Sequence, residues 1–284
     1  MSHLITPADL ASRIASGAAV RLLDVRWRLD SPEGRVAYVS GHLPGAVYVD
    51  LESELAQRGR PELGRYPLPA LEDLERAVRR WGIDDRDLVV VYDDNDGVPA
   101  ARAWWLLRHQ GFDVVVLDGG IRLWVAEGLP IEQGDLAPPP GNATIGPVDL
   151  GVATMDDAAR APQLGYLVDV RSPEHYRGRA GGMDPVAGHI PGAINIPTIS
   201  YISPAGTLKH PDLIRATVVA SGVDPDADIV LYCGTGIASA HSALAFASAG
   251  IEARIFTGSW SQWSLLPNRP VAVGWRPDGT LQRW

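Results

Sequence analysis

The chain has 284 residues, 46% of them hydrophobic and 21% charged, with a formal net charge of −9. That size accommodates two ordinary domains, and the composition is that of a globular chain rather than a disordered one. The acidic balance argues against nucleic acid or an anionic membrane surface as the main partner, and no apolar stretch reaches the roughly 18 residues of a membrane span. A lone cysteine excludes an internal disulfide and a multi-cysteine metal site. The seven histidines are scattered, so neither a metal nor an organic cofactor is expected. The segment Met1-Ser2-His3-Leu4-Ile5-Thr6 has no basic region followed by an apolar run, which makes the cytoplasm the expected compartment.

In chain order, Thr6-Pro7-Ala8-Asp9 reads as a helix start: an N-cap threonine, proline at the first helical position, and a carboxylate that can bond back. The apolar strand Leu22–Val25 leads into Arg26, and Gly41-His42-Leu43-Pro44-Gly45-Ala46 forms a turn motif. Strand Leu88–Tyr92, helix Ala100–Gln110, strand Val114–Leu117 and helix Ile121–Glu127 follow. The stretch 134–147, rich in Pro and Gly, reads as a linker.

The order then repeats. Leu22-Leu23-Asp24-Val25-Arg26 returns as Leu167-Val168-Asp169-Val170-Arg171, and the Gly41–Ala46 turn as Gly188-His189-Ile190-Pro191-Gly192-Ala193. Val90-Val91-Tyr92-Asp93 returns as Val230-Leu231-Tyr232-Cys233, and Leu117-Asp118-Gly119-Gly120 as Phe256-Thr257-Gly258-Ser259. A second helix start, Thr154-Met155-Asp156-Asp157, opens the second copy. Four segments recurring in one order are two copies of one domain. Within each copy strands alternate with helices, which implies a parallel, doubly wound α/β sheet.

Cys233 lies between an apolar strand, Asp228–Tyr232, and a small-residue helix pattern, Ala238–Ala249. Ligands of open α/β folds bind at such strand-to-helix turns. Gly234 and Gly236 let successive N–H groups turn inward, and the helix start adds partial positive charge. Both favour the thiolate over the thiol. A lone cysteine is otherwise an inert buried hydrophobe. Its position in a glycine-bearing turn points instead to a nucleophile.

The duplication, the Gly-His-hydrophobic-Pro-Gly-Ala motif in both halves, and Gly258-Ser259-Trp260 with Trp263 resemble the tandem rhodanese-like sulfurtransferases. Cys233-Gly234-Thr235-Gly236-Ile237-Ala238-Ser239 looks like that family's active-site loop. The resemblance spans essentially the whole chain. It implies two tandem rhodanese-like domains, residues 1–133 and 148–284, each a mainly parallel sheet with helices on both faces. It also implies that the second domain is catalytic and the first a non-catalytic partner lining a cleft. Asp93, at the cysteine position of the first copy, cannot carry a sulfane sulfur.

The implied reaction is ping-pong transfer through a Cys233 persulfide. A small-molecule donor charges the thiolate, and cyanide or a thiol (or a protein acceptor of unknown identity) removes the sulfur. Loop amides from Gly234 through Ser239 would hold the anion. Thiosulfate-preferring members resemble one another in carrying cations at the second and third loop positions. Gly234 and Thr235 are uncharged, as in mercaptopyruvate-type members. Thr235 could bond the thiolate or relay a proton to a leaving enolate; alternatively it bonds its own loop.

Arg177 matches the family's substrate-binding arginine and could grip a carboxylate, unless it is simply a surface residue. Where mercaptopyruvate enzymes often carry a second arginine, this chain has Met183 or Asp184, and Arg179 is the candidate substitute. His189 is expected to tie its ring to nearby backbone, whereas His42 could face the cleft and assist proton transfer. Trp27 could wall the cleft. Asp24 with Arg26, and Asp169 with Arg171, are expected to form structural bonds.

Two rival functions remain open. A cysteine phosphatase of this fold needs an arginine six residues after the cysteine, and that position is Ser239. A non-catalytic or sulfur-relay binding module is the other; the intact loop argues against a purely non-catalytic one.

Overall fold

The computed structural model describes residues 2–148, 151–180 and 182–282. The chain forms two compact units. Unit 1 comprises residues 1–57, 68–150 and 202–208; unit 2 comprises 58–67, 151–201 and 209–284. The division therefore departs from the expected 1–133 and 148–284 in that each repeat contributes one short segment to the other unit. The expected linker 134–147 is also no free tether. Its Gly141 and Ala143 amides donate to the carbonyls of Arg79 and Ile83, and Ala143 is fully buried in unit 1.

Unit 1 runs β1 (Leu4–Ile5), α1 (Pro7–Ala15), β2 (Val20–Asp24), α2 (Arg35–Ser40), β3 (Val47–Tyr48), α3 (Leu51–Glu54), α4 (Leu71–Arg80), β4 (Leu88–Tyr92), α5 (Val98–His109), β5 (Asp113–Leu117) and α6 (Gly120–Ala126). Its five strands pair in the order β1-β5-β4-β2-β3, all parallel. Unit 2 runs α7 (Met155–Leu164), β6 (Tyr166–Asp169), α8 (Pro173–Tyr176), β7 (Ile194–Asn195), α9 (Pro211–Ala220), β8 (Ile229–Tyr232), α10 (Ala238–Ser248), β9 (Arg254–Ile255), α11 (Ser259–Trp263), β10 (Val271–Val273) and β11 (Thr280–Gln282). Strands β7-β6-β8-β9 pair in parallel, and a parallel bridge from Val152 to Ile255 takes the place that β1 holds in unit 1. Strands β10 and β11 form a separate antiparallel hairpin.

Local chemistry explains the element starts. Thr154 and Asp157 form a complete capping box on α7, each side chain bonded to the other's amide. On α1 only half of it forms: Thr6 accepts from the Asp9 amide, while the Asp9 carboxylate takes the Thr6 hydroxyl.

The central strands carry the cores. Every residue of β8 is buried, as are Val89–Tyr92 of β4. Each such side chain removed from water contributes roughly 1.5–3 kcal/mol. Burial on both faces is the physical signature of a sheet covered by helices. It also fixes the strand ends from which the two equivalent loops leave. Among the described residues no helix is long and apolar enough to cross a membrane.

Candidate active site

Cys233 follows the last residue of β8 and is 2% exposed. Its Sγ receives the amide N–H of Gly236 at 3.0 Å and that of Thr235 at 3.4 Å. The Ser239 hydroxyl, in the first turn of α10, lies 3.7 Å from Sγ. Two inward amides at the start of an 11-residue helix create a partial positive charge where a sulfur anion would sit. Gly236 makes this turn possible. Its φ is +83°, and a methyl there would lie 2.3 Å from the Thr257 carbonyl oxygen. Gly234 has no such requirement, since a methyl added there meets nothing within 4 Å.

The loop is anchored from α11. Trp260 and Ser261 donate their amides to the carbonyls of Cys233 and Gly234 at 3.0 and 2.9 Å. The Ser259 Oγ accepts the Cys233 amide at 3.1 Å, donates to the Phe256 carbonyl at 2.9 Å, and lies 3.9 Å from Sγ. Ser259 does this with φ at +53°, one of two non-glycine residues with positive φ among those described. It was not among the site residues expected from the sequence.

Arg171 supplies the buried charge beneath the loop. It forks onto Asp169, donates to the Gly188 carbonyl at 2.7 Å, and stacks 4.7 Å above the Trp260 ring. Burial works against its charge but is outweighed by Asp169, with Tyr232 and Cys233 adding in the same direction. The guanidinium is held above its ordinary range, and its field reaches the sulfur. Asp24 and Arg26 repeat the fork in unit 1, with Arg26 on the Gly41 carbonyl. The expected structural pairs are therefore present in both units.

Thr235 is 7% exposed and its hydroxyl makes no hydrogen bond to any described residue, so the self-bonded alternative is absent. Ile237 is the buried N-cap residue of α10, and Ala238 its half-buried first residue. Arg177 caps α8 and Arg179 lies two residues on; both are exposed and neither forms an ion pair among the described residues.

His42 does not keep the expected role. It is 1% exposed, stacked on Tyr38, and both ring nitrogens lie against carbonyls, Leu43 at 3.0 Å and Gly134 at 3.2 Å. No ring nitrogen is left to move a substrate proton. His189 is its counterpart, stacked on Tyr176 with its nitrogens on the Tyr176 and Pro277 carbonyls. Burial holds its imidazole below the ordinary value, although both carbonyls pull the other way. Trp27 is also buried in unit 1, with its indole N–H on Glu52.

Unit 1 shows what the same loop does without sulfur. The Asp93 carboxylate accepts the amides of Asn95, Gly97 and Ala100 at 2.7, 3.0 and 2.9 Å, so the side chain fills its own anion seat.

Residues 6–127 and 152–266 each match the model of the rhodanese-like domain, and the chain belongs to that family. It is 45% identical over 275 residues to a Mycobacterium tuberculosis protein with the provisional name thiosulfate sulfurtransferase SseB, covering 95% of this chain and 97% of the relative. It is 37% identical over 284 residues to a Pseudomonas aeruginosa protein provisionally named 3-mercaptopyruvate sulfurtransferase, covering 96% and 99%. Among solved structures, SseA of Escherichia coli, a 3-mercaptopyruvate sulfurtransferase, superposes with a TM-score of 0.82 at 28% identity, covering 92% of this chain and 99% of that one.

Proposed function

We propose that this protein is a sulfurtransferase that carries a sulfane sulfur on Cys233, with 3-mercaptopyruvate the preferred donor and thiosulfate the competing one. The observation that carries the reading is the cysteine sulfur held by the Thr235 and Gly236 amides at a helix start. In the first half-reaction the Cys233 thiolate attacks the donor's sulfur. The S–S bond forms as the donor's own bond to sulfur breaks, releasing sulfite from thiosulfate or the pyruvate enolate from 3-mercaptopyruvate. The enolate then takes a proton. In the second half-reaction cyanide or a thiol attacks the outer sulfur, the S–S bond breaks, and the thiolate returns. The amides that hold the thiolate are placed to hold the persulfide anion as well.

Two features support mercaptopyruvate. The loop offers no cation to a dianion, and the Thr235 hydroxyl is left uncommitted, available to deliver the enolate's proton. Arg177 is the proposed carboxylate grip. Steady-state kinetics with each donor test this. The expected result is a higher kcat/KM for 3-mercaptopyruvate, an order-of-magnitude loss with that donor in Thr235→Val, and no transfer from either donor in Cys233→Ser. A higher kcat/KM for thiosulfate would overturn the donor assignment, and transfer by Cys233→Ser the mechanism.

A further inference from the structure

With a net charge of −9, the protein must hold an anionic donor by local cations. Residues 58–67 bring one. This segment of the first repeat belongs to unit 2 and is fastened to α11, the helix that anchors the cysteine loop. The Arg65 amide donates to the Ser261 Oγ at 3.0 Å, and Ser261 in turn donates its own amide to the Gly234 carbonyl at 2.9 Å. The Gln262 side chain donates to the Glu62 carbonyl at 3.2 Å. Gly64, at φ +105°, packs so closely that a methyl there would lie 2.7 Å from the Gly258 carbonyl oxygen. The backbone of Arg65 is thus two hydrogen bonds from the residue after the nucleophile.

The Arg65 side chain is three-quarters buried and ends on a carboxylate, with Nη2 2.6 Å from Asp184 Oδ1. One guanidinium nitrogen is used there, and a guanidinium carries five N–H donors. The chain that delivers Asp184 is the loop between α8 and β7, the loop that begins at Arg177.

We propose that Arg65 is a specificity-determining cation of the donor site, with Asp184 the counterion that orients its fork. Arg65 and Arg177 then grip an anionic donor from two segments. Asp184 sets the strength of the grip, because its charge opposes the donor's. The proposal rests on Cys233 as the sulfur carrier, and ping-pong kinetics separate the two claims. Donor charging should depend on Arg65, whereas removal of the sulfur by cyanide, which has no carboxylate for the guanidinium fork to grip, should not.

The test is kcat/KM for 3-mercaptopyruvate and, separately, for cyanide in Arg65→Gln, Arg65→Lys and Asp184→Asn. The donor value should fall about 10- to 100-fold in Arg65→Gln, the worth of one charge-assisted grip. Partial recovery in Arg65→Lys, a rise in Asp184→Asn, and an unchanged cyanide value throughout are the expected companions. Opposite signs for Arg65→Gln and Asp184→Asn are the signature of donor binding. Equal losses in Arg65→Gln and Asp184→Asn, or losses in the donor and cyanide values together, would show a merely structural ion pair and overturn the proposal. Absence of donor charging in the parent protein would instead overturn the Cys233 reading.

Discussion

The Ser259 hydroxyl reaches the amide nitrogen of Cys233, at 3.1 Å, by holding its own backbone in the left-handed region. The equivalent residue of the first repeat is Gly120, at φ +57°, where such a conformation carries no side-chain penalty. A serine there costs about 1 kcal/mol or more. Unit 2 tolerates that strain at a position whose hydroxyl receives the Cys233 amide, beside the Trp260 amide that holds the Cys233 carbonyl. Ser259→Gly should therefore leave the melting temperature unchanged or higher while kcat falls about tenfold, since the loop amides lose their alignment. Ser259→Ala should lose both stability and rate. A Ser259→Gly enzyme of undiminished kcat would show the hydroxyl to be dispensable.

The two loop glycines should behave differently. Gly236→Ala combines a positive φ with a 2.3 Å approach to the Thr257 carbonyl, and should destabilise unit 2 by roughly 2 kcal/mol or more. Gly234→Ala meets open space and should be neutral in thermal unfolding. Because a Cβ is unobstructed there, Gly234→Lys is expected to fold, and it should raise thiosulfate kcat/KM relative to 3-mercaptopyruvate by about tenfold. An unchanged donor ratio would show that the second loop position does not read donor charge.

Arg26 and Arg171 make the same fork in the two units, so they form a matched pair of tests. Replacing either by Met leaves a buried aspartate unpaired, a loss of roughly 3–5 kcal/mol. Only Arg171→Met should also slow donor charging at temperatures where the protein stays folded, because only Arg171 has Cys233 in its field. Equal activity losses in the two variants would mean that the effect runs through stability alone.

Asp93 predicts a pH dependence. Burial lifts its carboxyl from 3.8 to about 6, against the pull of the Ala100, Asn95 and Gly97 amides. The folded value lies above the unfolded one, so the folded state keeps a proton that the unfolded chain has released. The associated stability is full below about 3.8 and is lost as pH rises through about 6. The loss is on the order of 3 kcal/mol, from about 1.4 kcal/mol per pH unit. Denaturant unfolding of the parent and of Asp93→Asn between pH 4 and 7 should show that the variant lacks this decline. Parallel curves would place the Asp93 carboxyl at its ordinary value.

Much of this was legible in the sequence because it is written in local pattern. The repeats, the strand and helix flanking Cys233, the Asp93 exchange and the Asp-Arg forks each need only neighbouring residues or a comparison of the two copies. Segment exchange is not local. Nothing in the composition of 58–67 or 202–208 says that each belongs with the other repeat's unit, so Arg65 was invisible beside Asp184. His42 was over-read because a turn histidine looks alike whether its ring is free or, as here, pressed between carbonyls on a tyrosine. Ser259 did leave a trace: a glycine in one copy and a serine in the other, at a left-handed position, marks a backbone conformation kept for a hydroxyl.

Everything proposed for the reaction depends on Cys233 carrying the sulfur. The decisive measurement is the intact mass of the purified protein after exposure to 3-mercaptopyruvate and, separately, to thiosulfate. The expected result is the gain of one sulfur atom, located at Cys233, faster with 3-mercaptopyruvate and removed by cyanide as thiocyanate. No gain with either donor, or a gain that persists in Cys233→Ser, would contradict it.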